Sequence, residues 1–191
     1  MKSSLPTKIA SIKGLFGKVS SVITTKRLKL VPASAQLVRA EMENRALFAE
    51  LLDATVSENW PPENLADALP LFLEWIEAAP EQVGWFGWYA LANEENRFFL
   101  VGSGGFMGPP KEGEVELGYC VLPQFQGAGY ATEMVQALTT WAFSRSGVLR
   151  IAAETEWANP ASVRVLTKAG FTPAGCARDP NGERFELVVN G

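Results

Sequence analysis

The sequence has 191 residues, of which 47% are hydrophobic and 20% are charged, so it can form one domain with a buried core. Its net charge of -4 does not favour nucleic acid as a partner, and no apolar run approaches the roughly 20 residues that span a membrane. The absence of histidine excludes Ser-His-Asp and Cys-His catalysis and histidine-based zinc sites, and no metal site is predicted. The two cysteines, Cys120 and Cys176, do not suggest a disulfide framework, so we expect a cytoplasmic protein.

Residues 1–23 are interpreted as a basic extension that precedes the domain. Apolar residues recur in this segment at helical spacing, with lysines between them, at Ile9, Ile12, Phe16 and Val19. We expect an amphipathic extension or a dimer arm, in preference to a membrane-surface helix, a removed signal or a disordered segment. The domain itself is expected to occupy residues 24–191, and a homodimer is one arrangement that such an arm would permit.

The first half of the domain is predicted to contain a strand, two helices and a two-stranded hairpin, at residues 27–31, 34–52, 63–78, 85–91 and 98–106. Ser34 supplies an N-cap for the first helix, whose apolar stripe is expected to include Met42 and Leu47. Pro80 ends the second helix. The first strand of the predicted hairpin carries four aromatic residues that we interpret as core in preference to an aromatic acceptor pocket, namely Trp85, Phe86, Trp88 and Tyr89.

The second half is predicted to contain a strand, a glycine loop, a helix, a strand, a helix and two final strands. Their predicted positions are residues 114–121, 126–129, 130–143, 150–155, 160–169, 172–177 and 184–189. Hairpin strands in the middle of the chain and strand–helix units towards its end indicate a mixed α/β (α+β) fold, with a sheet flanked by helices.

The glycine loop and the helix that follows it predict a binding site for an anion. Backbone N–H groups at a helix start are unpaired and carry the positive end of the helix dipole, so they can hold a diphosphate without a lysine or a metal. Gly127 and Gly129 have no side chain that would block a phosphate from these groups. The loop lacks the lysine of a Walker motif and the spacing of a dinucleotide fingerprint, so ATP and NAD are disfavoured.

The same loop resembles a known family signature. Gln126-Gly-Ala-Gly-Tyr-Ala131 matches the pattern (Gln/Arg)-x-x-Gly-x-(Gly/Ala) of the GNAT superfamily, and its continuation is similar to the ribosomal-protein N-acetyltransferase (Rim-type) branch. Downstream, Asn159 and Ser162, followed by the pair Gly170 and Phe171, resemble the second GNAT motif. The resemblance covers most of the domain and implies the GNAT fold, whose mixed, mostly antiparallel sheet is splayed at its central parallel strands.

The resemblance also implies a site for acetyl-CoA, with the pantetheine arm in the splay and the diphosphate on the loop amides. The positions that would hold this cofactor are Cys120, Val121, Gln126, Gly127, Ala128, Gly129, Tyr130, Ala131, Thr132, Asn159 and Ser162. A backbone N–H near Cys120 or Val121 is expected to stabilise the oxyanion. The alternative interpretation of Asn159 is a helix N-cap, and that of Ser162 is a packed hydroxyl.

Acetyl transfer to an amine also needs a proton acceptor, because an alkylammonium has a pKa of about 10. Glu116 is predicted as the catalytic base, acting directly or through a water, since it lies on the strand that precedes the loop. Glu114 and Glu154 are the alternatives, and a solvated edge carboxylate is the non-catalytic interpretation.

The proton donor to the leaving sulfur is less well defined. Many GNAT enzymes carry a tyrosine seven residues after the motif asparagine, whereas this chain has Leu166. Ser162 is predicted as a catalytic residue that could substitute, with Tyr119 and Tyr130 as alternatives, or the thiolate leaves unassisted. An acyl-enzyme on Cys120 is disfavoured, because a strand cysteine without a histidine partner is usually inert.

We therefore expect an acetyl-CoA-dependent N-acetyltransferase that acts by direct attack in a ternary complex. The acceptor is expected to be a primary amine of a small molecule or a peptide. Ten acidic residues between Glu41 and Glu81 would attract a cation, although a solvated face explains the same charges. A non-catalytic acyl-CoA-binding module, and an α/β module for another phosphorylated ligand, are the alternatives.

Overall fold

A computed structural model describes residues 22–188, so the predicted N-terminal extension lies almost wholly outside the described residues. The described strands are β1 (Ile23–Thr24), β2 (Leu28–Pro32), β3 (Trp88–Glu94), β4 (Arg97–Phe106), β5 (Glu114–Val121), β6 (Arg150–Glu156), β7 (Thr172–Cys176) and β8 (Gly182–Val188). The described α-helices are α1 (Ala35–Glu43), α2 (Arg45–Leu52), α3 (Glu63–Ala78), α4 (Tyr130–Phe143) and α5 (Pro160–Lys168). Among the described helices, none has the length and apolar content that a membrane crossing requires.

The strands form one mixed sheet in the order β1-β2-β3-β4-β5-β6-β8-β7. Every neighbouring pair is antiparallel except β5 and β6, which are parallel. This confirms the predicted fold class of a mixed, mostly antiparallel sheet with one central parallel pair. The bounds predicted for α3, β5 and α4 are also confirmed.

The parallel pair is joined over a short distance only. Its paired residues run from Glu114 with Arg150 to Glu116 with Ala152, although β5 continues to Val121 and β6 to Glu156. Beyond these three pairs the two strands part, and a gap opens towards their carboxyl ends. The predicted splay is therefore present in the sheet.

Each face of the sheet is covered by its own hydrophobic core. On one face α4 and α5 pack through Met134, Leu138 and Leu166. On the other face α1, α2 and α3 pack through residues that include Leu37, Phe48 and Ile76. The gap between β5 and β6 thus lies in a sheet whose two faces are held by separate groups of helices.

The single helix predicted over residues 34–52 is wrong, because the helix breaks at Asn44. Asn44 leaves helical geometry with φ −151° and ψ 89°, and its side-chain oxygen accepts a hydrogen bond from the Leu47 N–H at 3.0 Å. It therefore ends α1 and caps α2. As a result Met42 and Leu47 are 43% and 40% exposed, and they do not join the apolar stripe predicted for one continuous helix.

The predicted hairpin is present, but its first strand is Trp88–Glu94 in place of the predicted 85–91, whereas its second strand, Arg97–Phe106, matches the predicted 98–106 to within one residue. Its first strand begins at Trp88, and its second begins at Arg97 after a turn in which Glu95 and Asn96 adopt φ values of 50° and 64°. Two consecutive residues with positive φ form the kind of tight turn that joins twisted antiparallel strands. Trp88 is fully buried and its indole N–H donates to the Gly84 carbonyl at 2.7 Å, so the core interpretation of this tryptophan is confirmed.

Candidate active site

The glycine loop ends in a helix start that has no side-chain cap. Gly127 and Gly129 adopt φ values of 77° and 84°, which favour glycine, and α4 begins directly after Gly129. Within the described part of the chain, the N–H groups from Gly127 to Thr132 donate no hydrogen bond. A row of free donors at the positive end of a helix dipole can hold a diphosphate. The predicted loop positions are thus brought together in one concave turn.

Arg27, which the sequence analysis did not select, braces this loop. Its guanidinium donates to the Ala128 carbonyl at 2.7 Å and to the Glu133 carboxylate at 2.7 Å, and it lies 4.9 Å from the centre of the Tyr130 ring. Burial raises the pKa of Glu133, but hydrogen bonds from Thr25 and Arg27 outweigh burial, so the net pKa is lowered. Arg27 and Glu133 are 106 residues apart, and no local motif connects them.

A groove of about 560 Å³ runs beside the braced loop along α4. Its walls include Gly129 and Thr132 of the loop and helix start, together with Lys26, Arg27 and Lys168. Cationic side chains beside free backbone donors add to the attraction for a phosphorylated ligand.

The register of β5 decides which of its backbone donors face the gap. Hydrogen bonds from Met107 N–H to the Glu116 carbonyl and from Leu122 N–H to the Val101 carbonyl show that the even-numbered residues of β5 are bonded to β4. The odd-numbered residues therefore point towards β6. Past the last β5–β6 pair, the N–H groups of Tyr119 and Val121 face the gap without a partner among the described residues.

This register separates the two predicted oxyanion donors. The Val121 N–H faces the gap, whereas the Cys120 N–H is directed into the β4 pairing. The Gln126 side chain donates to the Val121 carbonyl at 2.9 Å, which ties the loop to the end of β5. The Cys120 thiol is mostly buried, and burial raises its pKa, as expected for an inert cysteine.

The second motif lies across the gap, at the start of α5. Asn159 caps this helix, since its side-chain oxygen accepts a hydrogen bond from the Ser162 N–H at 3.1 Å. The Ser162 hydroxyl is 2.8 Å from the Tyr119 hydroxyl, so the structure brings two of the predicted proton donors together. Burial raises the pKa of Tyr119, which keeps its phenol protonated at neutral pH. Leu166 is buried in the core, and Tyr130 is engaged with Glu94.

The predicted base and its alternatives lie in a network of ion pairs. Arg178 contacts both Glu116 and Glu154, while Glu114 pairs with Arg150 and Arg184. Glu116 belongs to the last β5–β6 pair, directly before the gap opens. A base at this position would have to exchange a contact with Arg178 for one with the acceptor amine.

A cavity of about 260 Å³ lies behind β5, between the sheet and helices α1 and α3. Its walls are mainly apolar, and they include Val38, Leu65, Ala68, Leu69, Phe72, Ile76, Phe86, Met107 and the backbone of the glycine-rich segments of β4 and β5. Gly118 and Cys120 of β5 border it directly. Phe86 and Tyr89 also line it, so the aromatic cluster interpreted as core contributes to both the core and a cavity.

Glu41 is the functional candidate that the sequence analysis missed. The residue is 9% exposed and borders the cavity, and its carboxylate accepts hydrogen bonds from the Trp60 indole N–H at 2.7 Å and the Tyr89 hydroxyl at 2.5 Å. Burial raises the pKa of Glu41 to about 7, although both hydrogen bonds act to lower it. Glu41 lies four residues after the buried Leu37 and therefore on the apolar face of α1. This position was the sequence signal for its burial, but Glu41 was grouped with the other acidic residues of the 41–81 segment.

We predict that Glu41→Gln stabilises the protein at pH 8 but has little effect near pH 4.5. Because the folded-state pKa of about 7 exceeds the reference value of 4.5, the contribution of Glu41 to stability is full below pH 4.5 and is lost as the pH rises through 7. This loss in the free energy of unfolding amounts to about 3 kcal/mol. The variant escapes it, because glutamine does not titrate. Urea unfolding at both pH values measures the free energy of unfolding of each protein. If this free energy depended on pH in the same way in the two proteins, the prediction would be contradicted.

Comparison with known proteins gives consistent matches. Residues 31–172 match the family model described as an acetyltransferase (GNAT) domain. A protein described as the uncharacterized N-acetyltransferase YjdG of Bacillus subtilis (strain 168) is 30% identical over 151 residues, which are 78% of this chain and 89% of that protein. The FsC-acetyl coenzyme A-N(2)-transacetylase of Aspergillus fumigatus is 27% identical over 171 residues, which are 81% of this chain and 66% of that protein.

Solved structures share the fold at lower sequence identity. A RimL ribosomal L7/L12 alpha-N-protein acetyltransferase in complex with coenzyme A aligns with a TM-score of 0.60 and 19% identity. The alignment covers 88% of this chain and 98% of that one. At this identity the likeness concerns the arrangement of strands and helices, and it leaves the acceptor open.

Proposed function

The chain belongs to the GNAT acetyltransferase family, and from that premise we propose that it transfers the acetyl group of acetyl-CoA to a primary amine by direct attack in a ternary complex. The observation that carries the proposal is the pairing of free N–H donors at the start of α4 with a gap between β5 and β6. The first feature suits a diphosphate and the second suits an extended thioester arm. The acceptor is the amine of a small molecule or a peptide.

Bound acetyl-CoA supplies an activated thioester, whose carbonyl carbon bonds to the amine nitrogen while the carbon–sulfur bond breaks and the sulfur keeps the electron pair. The N–H groups of Tyr119 and Val121 face the gap, where they can donate to the carbonyl oxygen as negative charge develops on it. The ammonium loses two protons in total and the sulfur gains one, so one proton is released overall. Positioning by the two strands supplies much of the rate.

We predict that acetyl-CoA raises the melting temperature, and that Arg27→Ala weakens its binding about tenfold because the glycine loop loses its brace. Ligand at 100 times its Kd stabilises the native state by about 2.7 kcal/mol, which thermal shift detects readily. Arg39→Ala is the matched control, since Arg39 pairs with Glu77 between α1 and α3.

Two outcomes would remove the proposal in different ways. Stabilisation by ATP or NAD without stabilisation by acetyl-CoA would favour a module for another phosphorylated ligand. Tight acetyl-CoA binding without release of free CoA thiol across a broad amine panel would favour a non-catalytic acyl-CoA-binding module.

For the base, we propose Glu116. It shares one face of β5 with Gly118 and Cys120, which border the cavity, and it lies directly before the point where the strands part. The pairing with Arg178 orients its carboxylate until an acceptor ammonium competes for it. Glu154 shares Arg178 from the far side of the gap and is the alternative.

We expect Glu116→Gln to lower kcat about a hundredfold, since general-base catalysis contributes roughly 10²–10⁴. Glu114→Gln is the control, because Glu114 lies on the same face of β5 and is also paired with arginines, but within the closed part of the ladder. Steady-state release of CoA from both variants makes the comparison. Equal losses of kcat would indicate that both residues act only through the ion-pair network, and they would contradict the assignment of Glu116 as the base.

For return of a proton to the sulfur, we propose the Tyr119 and Ser162 hydroxyl pair. The pair spans from β5 to α5, and Leu166 offers no proton. We expect Tyr119→Phe to reduce kcat about tenfold for an acyl donor with a basic thiol. A donor with an acidic thiophenol leaving group should be much less affected, because its thiolate leaves unassisted. Equal losses with both donors would contradict the assignment.

A further inference from the structure

We propose that the cavity behind β5 is the acceptor site, that Glu41 is its anchor for the ammonium group, and that the preferred acceptors are compact primary amines with an apolar body. This inference deepens the proposed acetyl transfer and depends on it. It addresses the identity of the acceptor amine, whereas the family membership and the proposed cofactor site address only the acyl donor.

The size and lining of the cavity restrict the body of the acceptor. Its volume is about 260 Å³, which is just below the roughly 300–1,000 Å³ that is usual for drug-sized ligands. Aliphatic and aromatic side chains of α1 and α3 form one wall, and Gly105 and Gly118 leave room on the sheet side, where they place no side chain. Such a space fits one ring or a branched chain, and it is too small and too apolar for a multiply hydroxylated sugar amine.

The charge of the cavity restricts the head group. Glu41 is the one carboxylate among the described lining residues, and neither lysine nor arginine is among them. Its partners, Trp60 and Tyr89, are neutral donors that orient the carboxylate without neutralising it. A buried carboxylate is costly unless it is paired, so an incoming ammonium would supply the missing countercharge. A second positive charge on the acceptor would remain unpaired in apolar surroundings.

The position of Glu41 is suitable for transfer. Glu41 and Cys120 both line the cavity, from α1 and from β5. Cys120 is flanked by Tyr119 and Val121, whose N–H groups face the gap. An amine held between Glu41 and β5 would therefore lie next to the backbone donors that are proposed to hold the thioester carbonyl.

The pH dependence follows from the groups that face Glu41. Tyr89 from β3 and Cys120 from β5 border the same cavity, Tyr119 also borders it but directs its hydroxyl to Ser162 of α5, and burial raises the pKa of each of the three. None of these three groups titrates near pH 7, whereas Glu41 does. Because only the ionised carboxylate attracts an ammonium, kcat/KM for the amine should rise with pH up to about 7 and then level off.

The experiment compares the full-length enzyme with three variants on phenethylamine, isoamylamine, spermidine, an aminoglycoside and a short peptide with a free N-terminus. We expect the first two amines to be the best acceptors. Glu41→Gln should lower their kcat/KM about a hundredfold and abolish the pH limb near 7. Ala68→Trp, which fills the cavity from α3, should cause a similar loss. Ala66→Trp on the exposed side of the same helix is the control and should leave kcat/KM unchanged.

Binding measurements separate failure of this inference from failure of the proposed function. Calorimetry of phenethylamine with the CoA-loaded protein should show binding that Glu41→Gln and Ala68→Trp remove, while both variants keep acetyl-CoA affinity. Absence of phenethylamine binding to the wild-type protein would overturn the acceptor assignment. So would a polyamine, aminoglycoside or peptide acceptor that is preferred and unaffected by Ala68→Trp, although acetyl transfer itself would then stand. If the wild-type protein did not bind acetyl-CoA, the proposed function itself would be refuted.

Discussion

Two neighbouring parallel strands that share only three residue pairs are the constraint on which the site depends. Had β5 and β6 stayed paired to their carboxyl ends, Tyr119 and Val121 would have donated to β6, and no gap would lie between the strands. The gap costs several backbone hydrogen bonds, which a sheet normally keeps. The cores on the two faces hold the strands in place despite this loss, and the unpaired donors become available to a ligand.

The same site contains a second costly feature, the buried carboxylate of Glu41. A carboxylate placed in an apolar wall loses its hydration, and the hydrogen bonds from Trp60 and Tyr89 compensate only in part, as its raised pKa shows. Ionisable groups with strongly perturbed pKa values concentrate at functional sites. Two features that each lower stability border the same strand, and this coincidence favours a function for both in place of a purely structural role.

Long-range side-chain contacts hold the parts of the site together. Arg27 links the chain before β2 to the glycine loop, Arg178 links β5 to β6 below the gap, and the Tyr119 and Ser162 hydroxyls link β5 to α5. Exposed ion pairs add little stability. The effect of these three contacts is geometric, because each contact fixes the relative position of two elements that border the gap.

The sequence by itself determined the elements whose signals are local. The bounds of α3, β5 and α4, the uncapped glycine loop and the family motifs follow from residue periodicity, glycine positions and short spacings, all of which act within a few turns of the chain. Tertiary structure alone decided the brace by Arg27, the choice of Val121 over Cys120 as a donor facing the gap, and the burial of Glu41. These features depend on strand register and on contacts between distant segments. The sequence of one segment does not indicate which distant residues will bury its side chains or form hydrogen bonds with them.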